Sequence, residues 1–369
     1  MEPRGSDMKQ TTCNQMYQGW IIAALLLVMT AGVSAQVVRE PEGAPLPDYA
    51  RVYPAPPDRS MDGFYPATDD DLPIMLTGYG PPTNEMIRLF SADPEHNPDG
   101  WIGDNWEGRG YNIYAFFPEF PGGLGQGVGD FEVDYQDTSA DWWYYTAELE
   151  PMAIICFGRA FNNTAWELEG GARNHEMNSW INDYMAPYKP TIDLPIVGEP
   201  VNFDRYSTLP IQNTIDALNQ AGVPVNAFTS DVDTSAFLCN FIGYHVNWYH
   251  DLHSDPADPA WNIAGGHIHV GYASELATVI QATEITIRTL IDQMDSVRCV
   301  DHHHGDVNFD GMLTATDAQT AFLIALGSHS PTGVEACAAD CNGDGEVTAA
   351  DAQSIFMGAL GQPECVDPV

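Results

Sequence analysis

Three reactive side chains stand out in this chain: a thiol, an imidazole and a carboxylate. Cys239 is followed by Asn240 and opens an amphipathic stretch, Cys239-Asn240-Phe241-Ile242-Gly243-Tyr244. His269 lies in a glycine-led apolar run, Gly266-His267-Ile268-His269-Val270. Glu169 heads Glu169-Gly170-Gly171-Ala172-Arg173-Asn174, placed here after an apolar strand. Together they are the parts of a cysteine nucleophile, its general base and the acid that orients the base. The positive end of a helix favours an anion, so a thiol at a helix start is well placed to react. An imidazole in reach takes the proton and returns it to the leaving amine. A carboxylate on the far ring nitrogen fixes the tautomer. Backbone N–H groups near the Gly78 to Gly80 turn, or at Cys239 itself, are candidate oxyanion donors. Taken singly, each residue has an ordinary reading as a small core residue, a satisfied core histidine or a surface acid. A Cys156–Cys239 disulfide would silence the thiol.

A second constellation occurs twice. Asp306-Val307-Asn308-Phe309-Asp310-Gly311 recurs as Asp340-Cys341-Asn342-Gly343-Asp344-Gly345, each followed by a matching helical segment. Oxygen donors at loop positions one, three, five and twelve, with glycine at six, describe an EF-hand-type calcium loop. The first loop offers Asp306, Asn308, Asp310, the Met312 carbonyl and Asp317. The second offers Asp340, Asn342, Asp344, the Glu346 carbonyl and Asp351. Two calcium ions are expected, and none is needed for the thiol chemistry. His302, His303 and His304 read as a solvated linker rather than a metal site.

The elements that must position these groups follow from periodicity. Strands are expected at Pro73–Gly78, Tyr111–Phe117, Met152–Gly158, Val223–Phe228 and His267–Val270. Helices are expected at Ile211–Ala221, stopped by Gly222, at Leu238–Tyr249 and at Ser274–Met294. The acidic, aromatic stretch Phe131–Tyr145 reads as strand or loop. Strands alternating with helices predict an α/β sheet domain, with reactive groups at strand ends. A small all-α calcium-binding domain follows it.

Composition bounds the rest. At 369 residues the chain allows two domains, and 44% apolar residues suit a packed core. The formal net charge of -39, with Lys9 and Lys189 the only lysines, repels phosphate backbones and excludes nucleic-acid binding. Trp20 to Met29 is a short apolar run behind Arg4 and Lys9, ending in Val33-Ser34-Ala35. It reads as a signal peptide over residues 1–35, cleaved near Ala35, too short for a spanning helix. Residues 36–71 form a proline-rich leader, and no transmembrane segment remains in the mature chain. Export permits disulfides among the later cysteines, for example Cys299 with Cys365. Trp101, Trp106, Trp142 and Trp143 are open to three readings: pocket rim, core, or a surface facing the tail.

Residues 72–295 resemble pyroglutamyl peptidase I, a cysteine peptidase. The resemblance rests on Leu76-Thr77-Gly78-Tyr79-Gly80-Pro81, on Leu168 to Asn174, on Ser235-Ala236-Phe237-Leu238-Cys239-Asn240 with Tyr244, and on Gly266 to Val270, in that order. It implies a three-layer α/β/α sandwich on a mostly parallel sheet, with Cys239 as nucleophile, His269 as base and Glu169 as its orienting acid, and Tyr79, Gly78 and Gly80 at the substrate. His267 stands where the family has an aromatic residue. Pro82 replaces a phenylalanine that helps hold the pyroglutamyl ring, and Gly271 replaces a proline. Residues 304–361 resemble a type I dockerin, with aspartate at the twelfth loop position. That resemblance implies a cohesin partner on an extracellular assembly or cell surface.

The expected organisation is residues 72–298 for the peptidase-like domain and 299–369 for the dockerin. The expected function is a secreted cysteine peptidase acting on an amino-terminal pyroglutamyl or related small amide. The alternative is a catalytically inactive binding module of a cellulosome-like or cell-surface complex. A carbohydrate-acting component is a third reading, suggested only by the company dockerins keep.

Overall fold

The computed structural model describes residues 72–120, 128–160, 164–255, 258–298, 305–308, 310–331, 333–343, 345–362 and 365. The expected signal peptide, leader, histidine run, Cys299 and Asp344 lie outside the described residues.

The chain forms nine described strands. They are β1 (Pro73–Gly78), β2 (Asn112–Phe116), β3 (Pro118–Glu119), β4 (Val128–Gly129), β5 (Ala153–Ala160), β6 (Ala165–Arg173), β7 (Asp204–Tyr206), β8 (Asn226–Asp233) and β9 (Ala264–Gly271). The main sheet runs β2-β1-β5-β9-β6-β7, with β8 on the other side of β6. The pairs β1–β2, β1–β5, β5–β9 and β6–β8 are parallel. β6 is antiparallel to β9 and β7. β3 and β4 form a separate ribbon.

Helices cover both faces. On one face lie α1 (Thr83–Ile87), α3 (Ile211–Ala221) and α5 (Leu276–Val297). On the other lie α2 (Tyr135–Leu149) and α4 (Leu238–Leu252). The pleat sorts side chains between two cores. Ile74 and Leu76 of β1 pack with Ile87, Leu218 and Leu290, whereas Met75 packs with Trp142 and Phe241. Every residue of β1 is buried, as a parallel strand covered on both faces requires. The predicted three-layer sandwich is what forms.

Three local expectations are corrected. Of Phe131–Tyr145 only the first four residues are loop; the rest is helix, for α2 starts at Tyr135. Asp134 caps it, its carboxylate accepting from the N–H groups of Gln136 at 2.7 Å and Asp137 at 3.0 Å. Aromatic residues on several faces of α2 blur the usual apolar stripe. Glu169 to Arg173 lie within β6, not after it. The glycines there serve close approach rather than a turn, since a Cβ on Gly171 would sit 2.4 Å from the Arg205 carbonyl oxygen. β8 starts three residues later than expected, at Asn226, and extends to Asp233. The four tryptophans belong to the core side of the alternatives. Trp106, Trp142 and Trp143 are buried, and Trp101 stacks on Tyr114 at 5.0 Å.

The tail contains α6 (Ala315–Ala325), α7 (Gly333–Ala339) and α8 (Ala349–Ala359). Its core is small, built from Val307, Ala318, Ala321, Ala338, Ala352 and Ile355 with a few neighbours. α6 and α8 each begin with a capping box, Thr314 with Asp317 and Thr348 with Asp351. Cys365 pairs with Cys341, not with Cys299. The expected pairing assumed that the ends of the module are clasped; instead the bridge ties the chain end to the second loop. Among the described residues, no helix is long and apolar enough to cross a membrane.

Candidate active site

The pleat of β9 carries the site. His267 and His269, two residues apart, point to the face covered by α4. Their rings meet edge to face with centroids 4.6 Å apart. β5 lies beside them, with Gly158 opposite His269. A Cβ on Gly158 would stand 2.6 Å from His267 Nε2 and 3.0 Å from Cys239 Sγ. Glycine is therefore required there for the sulfur and ring to reach the sheet.

Cys239 is the second residue of α4, and the first-turn N–H groups of a helix have no intrahelical acceptor. Phe237 at the cap position offers no side-chain hydrogen bond in their place. Asn240 fixes this helix end to β6. Its Oδ1 accepts from Arg173 N–H at 2.9 Å, and its Nδ2 donates to the Arg173 carbonyl at 2.8 Å. The strand that carries Glu169 and the helix that carries Cys239 are thus tied by a two-point amide clamp. Cys239 and Cys156 are both free thiols, so no disulfide joins them.

His269 Nδ1 lies 2.6 Å from Glu169 Oε1, and Ser230 Oγ donates to Glu169 Oε2 at 2.7 Å. Both carboxylate oxygens are used, which fixes the plane of the acid. The sulfur of Cys239 and ring nitrogens of His267 and His269 all lie within 4.8 Å of one another. Burial opposes charge on His269, but the Cys239 sulfur and the Glu169 carboxylate outweigh it. They hold the imidazole well above its ordinary pKa. Glu167, on the same face of β6, is pushed up by burial and then by Glu169.

Tyr79 is buried, its ring edge-on to Phe131 and its hydroxyl donating to Thr138 Oγ1 at 3.4 Å. Burial, then Cys156, holds its phenol well above the ordinary value, and Cys239 contributes too. Gly80 has a φ of +127°, which only glycine adopts freely. The turn is committed to its own helix. Tyr79 N–H donates to Thr83 Oγ1 at 3.0 Å and Gly80 N–H to Asn84 Oδ1 at 2.6 Å. These two N–H groups are not free to bind an oxyanion.

Sequence reasoning missed Gly158, Ser230 and Glu167. Gly158 looked like a strand end because glycine is a turn former, yet β5 runs on to Ala160. Ser230 carries no local signal, and only the β6–β8 register brings it to Glu169. His267 also gained a meaning that the sequence lacked. It is buried with both ring nitrogens unpartnered, an arrangement that costs about 1–3 kcal/mol.

In the tail, the loop carboxylates fold inward. Asp306 accepts from the Gly311 N–H at 2.8 Å, and Asp340 accepts from Gly345 at 2.8 Å. Asp317 and Asp351 are buried and accept from the Thr314 and Thr348 N–H groups, each at 2.9 Å. Gly311 and Gly345 take φ of +79° and +85°, giving the sharp turn. All side-chain donors are oxygens, the set a hard dication prefers.

Residues 145–298 match the pyroglutamyl peptidase family, and residues 304–356 match the dockerin type I domain. The first stretch contains Glu169, Cys239 and His269 but not Tyr79. A pyrrolidone-carboxylate peptidase of Bacillus cytotoxicus is 27% identical over 246 residues, 61% of this chain and 96% of its own. One from Pectobacterium carotovorum is 31% identical over 135 residues, 36% of this chain and 55% of its own. Among solved structures, a mutant pyrrolidone carboxyl peptidase of Pyrococcus furiosus has 19% identity and a TM-score of 0.43, covering 60% of this chain and 100% of its own.

Proposed function

We propose that this chain, a pyroglutamyl peptidase I-like cysteine peptidase domain followed by a type I dockerin, removes an amino-terminal pyroglutamyl or similar small acyl group through Cys239, His269 and Glu169. The proposed domains are residues 72–298 and 299–369. The single observation that carries the reading is the chain of contacts from buried Glu169 through His269 Nδ1 to the Cys239 sulfur.

Cys239 Sγ attacks the carbonyl carbon of the scissile amide while His269 Nε2 takes the thiol proton. The oxyanion is received by first-turn N–H groups of α4. Collapse breaks the C–N bond, and His269 gives its proton to the departing amine. Water then attacks the thioester, His269 takes the proton, the C–S bond breaks and the sulfur regains the proton. Glu169 holds the imidazole with Nδ1–H outward throughout. The Tyr79 ring is proposed to flank the bound acyl group, with Gly78 and Gly80 allowing its approach.

The tail attaches the enzyme to a partner. Asp306, Asn308, Asp310, the Met312 carbonyl and Asp317 would hold one calcium ion. Asp340, Asn342, Asp344, the Glu346 carbonyl and Asp351 would hold a second. Bound calcium supplies positive charge that relieves the repulsion among these acids. Phe322 and Leu323 on α6 and Leu326 just beyond it are exposed, as are their repeats Phe356 and Met357 on α8 and Leu360 just beyond it. Such apolar residues on a calcium-ordered helix pair suit a cohesin. Export through residues 1–35, with cleavage near Ala35, would deliver the protein to that extracellular partner.

The test uses the full chain with calcium. Iodoacetamide at neutral pH should modify Cys239 selectively, more slowly after His269→Ala, and a fluorogenic pyroglutamyl amide should be hydrolysed. An inert Cys239 would sink the triad. A reactive Cys239 with no hydrolysis would leave a binding module in place of the enzyme.

A further inference from the structure

The geometry points to a transition-metal site made of Cys239 Sγ, His267 and His269, taking a borderline-soft dication such as Zn2+ and silencing the nucleophile while bound. Three donors of the right type converge within 4.8 Å of one another. Zn–S and Zn–N bonds of about 2.3 and 2.0 Å place tetrahedral donors about 3.5 Å apart, within reach of small side-chain rotations. A thiolate with two imidazoles suits zinc or copper and rejects calcium, the ion proposed for the all-oxygen loops of the tail.

His267 is the observation that separates this site from the peptidase triad. The triad needs one imidazole, and His269 supplies it. His267 is 3% exposed, and neither ring nitrogen has a hydrogen-bond partner. Its Nε2 and the Cys239 sulfur both border the space that the missing Gly158 side chain leaves open. An aromatic hydrocarbon ring would fill the position without leaving two buried nitrogens idle. His269 is already arranged as a metal ligand should be, with Nδ1 held by Glu169 and Nε2 turned toward the sulfur. A carboxylate behind a ligating histidine is the usual outer partner of such sites. A fourth position stays for water, since among the described residues no fourth donor joins this cluster. An ion held there occupies both the attacking sulfur and the base nitrogen, so hydrolysis and metal binding exclude one another.

Metal binding itself does not require that the chain hydrolyse anything; only its inhibitory consequence rests on the peptidase reading. The experiment therefore reads binding. Calcium-saturated full-length protein is titrated with Co2+ alone, and Zn2+ alone is tested for protection of Cys239 against iodoacetamide. One Co2+ should bind with a thiolate-to-metal charge-transfer band and the strong visible bands of four-coordination. Zn2+ should displace it and slow alkylation. His267→Phe should keep the fold by circular dichroism and weaken Zn2+ protection by about 100-fold or more. Absence of the charge-transfer band in the unaltered protein overturns the site, whatever the variant does. Equal Zn2+ protection in the unaltered and His267→Phe proteins also overturns it, because the thiol would then bind metal without His267.

Discussion

The thiol site and the repeated acidic loops of the tail are both clusters of ionisable groups, but they are held in opposite ways. Around Cys239, every support comes from a different element of a large sheet domain. β9 brings His269, β6 brings Glu169, β8 brings Ser230, and Asn240 clamps α4 to β6. In the tail, each loop is held by its own neighbours in sequence, Asp306 by Gly311 and Asp317 by Thr314. Its core is made mostly of alanines. The first cluster is preorganised by tertiary packing, whereas the second is local and depends on whatever neutralises its acids. A module of this size has little apolar area to bury and needs a metal or disulfide to stay folded.

The comparison can be broken most sharply at the acid behind the imidazole. Glu169→Gln keeps the shape but removes the charge on Nδ1, and should lower kcat for a pyroglutamyl amide about 10⁴-fold with little change in KM. A fall below tenfold would mean that preorganisation by Glu169 contributes little. Next, chelating calcium should melt α6 and α8 and leave the sheet domain folded. Asp306→Ala with Asp340→Ala should reproduce this, read by far-ultraviolet circular dichroism. Helicity that persists without calcium would make the two regions alike. Third, Cys365→Ser opens the bridge to Cys341, 24 residues apart, and should cost the tail about 3 kcal/mol while the core transition stays in place.

The smallest effect is a pH dependence confined to the sheet domain. Burial pushes His245 down to about 4 from an ordinary 6.5. Between these values the unfolded chain takes a proton that the folded chain refuses. Stability is therefore lost as pH falls through that window, by at most about 3 kcal/mol below it. His245→Phe should flatten this limb of the denaturation midpoint against pH. An unchanged slope would assign the acid sensitivity to other groups.

Much of this was legible in the chain. β1, α3 with its Gly222 stop, α4 and α5 follow from periodicity and caps, and the repeated Asp-x-Asn-x-Asp-Gly loops specify their own donors within a dozen residues. α2 was hidden because Trp142, Trp143 and Tyr145 follow closely on one another, so its buried face has no clean polar partner face. Gly158 resembled a strand end, and Gly170 and Gly171 were placed beyond one, because a sequence does not say whether glycine bends the chain or admits a neighbour.

The sequence alone determined which thiol, imidazole and carboxylate are the candidates, the repeated acidic loops of the tail and the α/β class of the sheet domain, because these rest on short-range spacing and side-chain chemistry. Only the tertiary structure decided that Ser230 braces Glu169 and that His267 faces the sulfur with both nitrogens idle. Those facts depend on strand register and on which distant segments meet across β5, β6 and β9. No local pattern encodes a contact whose partners lie a hundred residues apart in the chain, as Glu169 and His269 do.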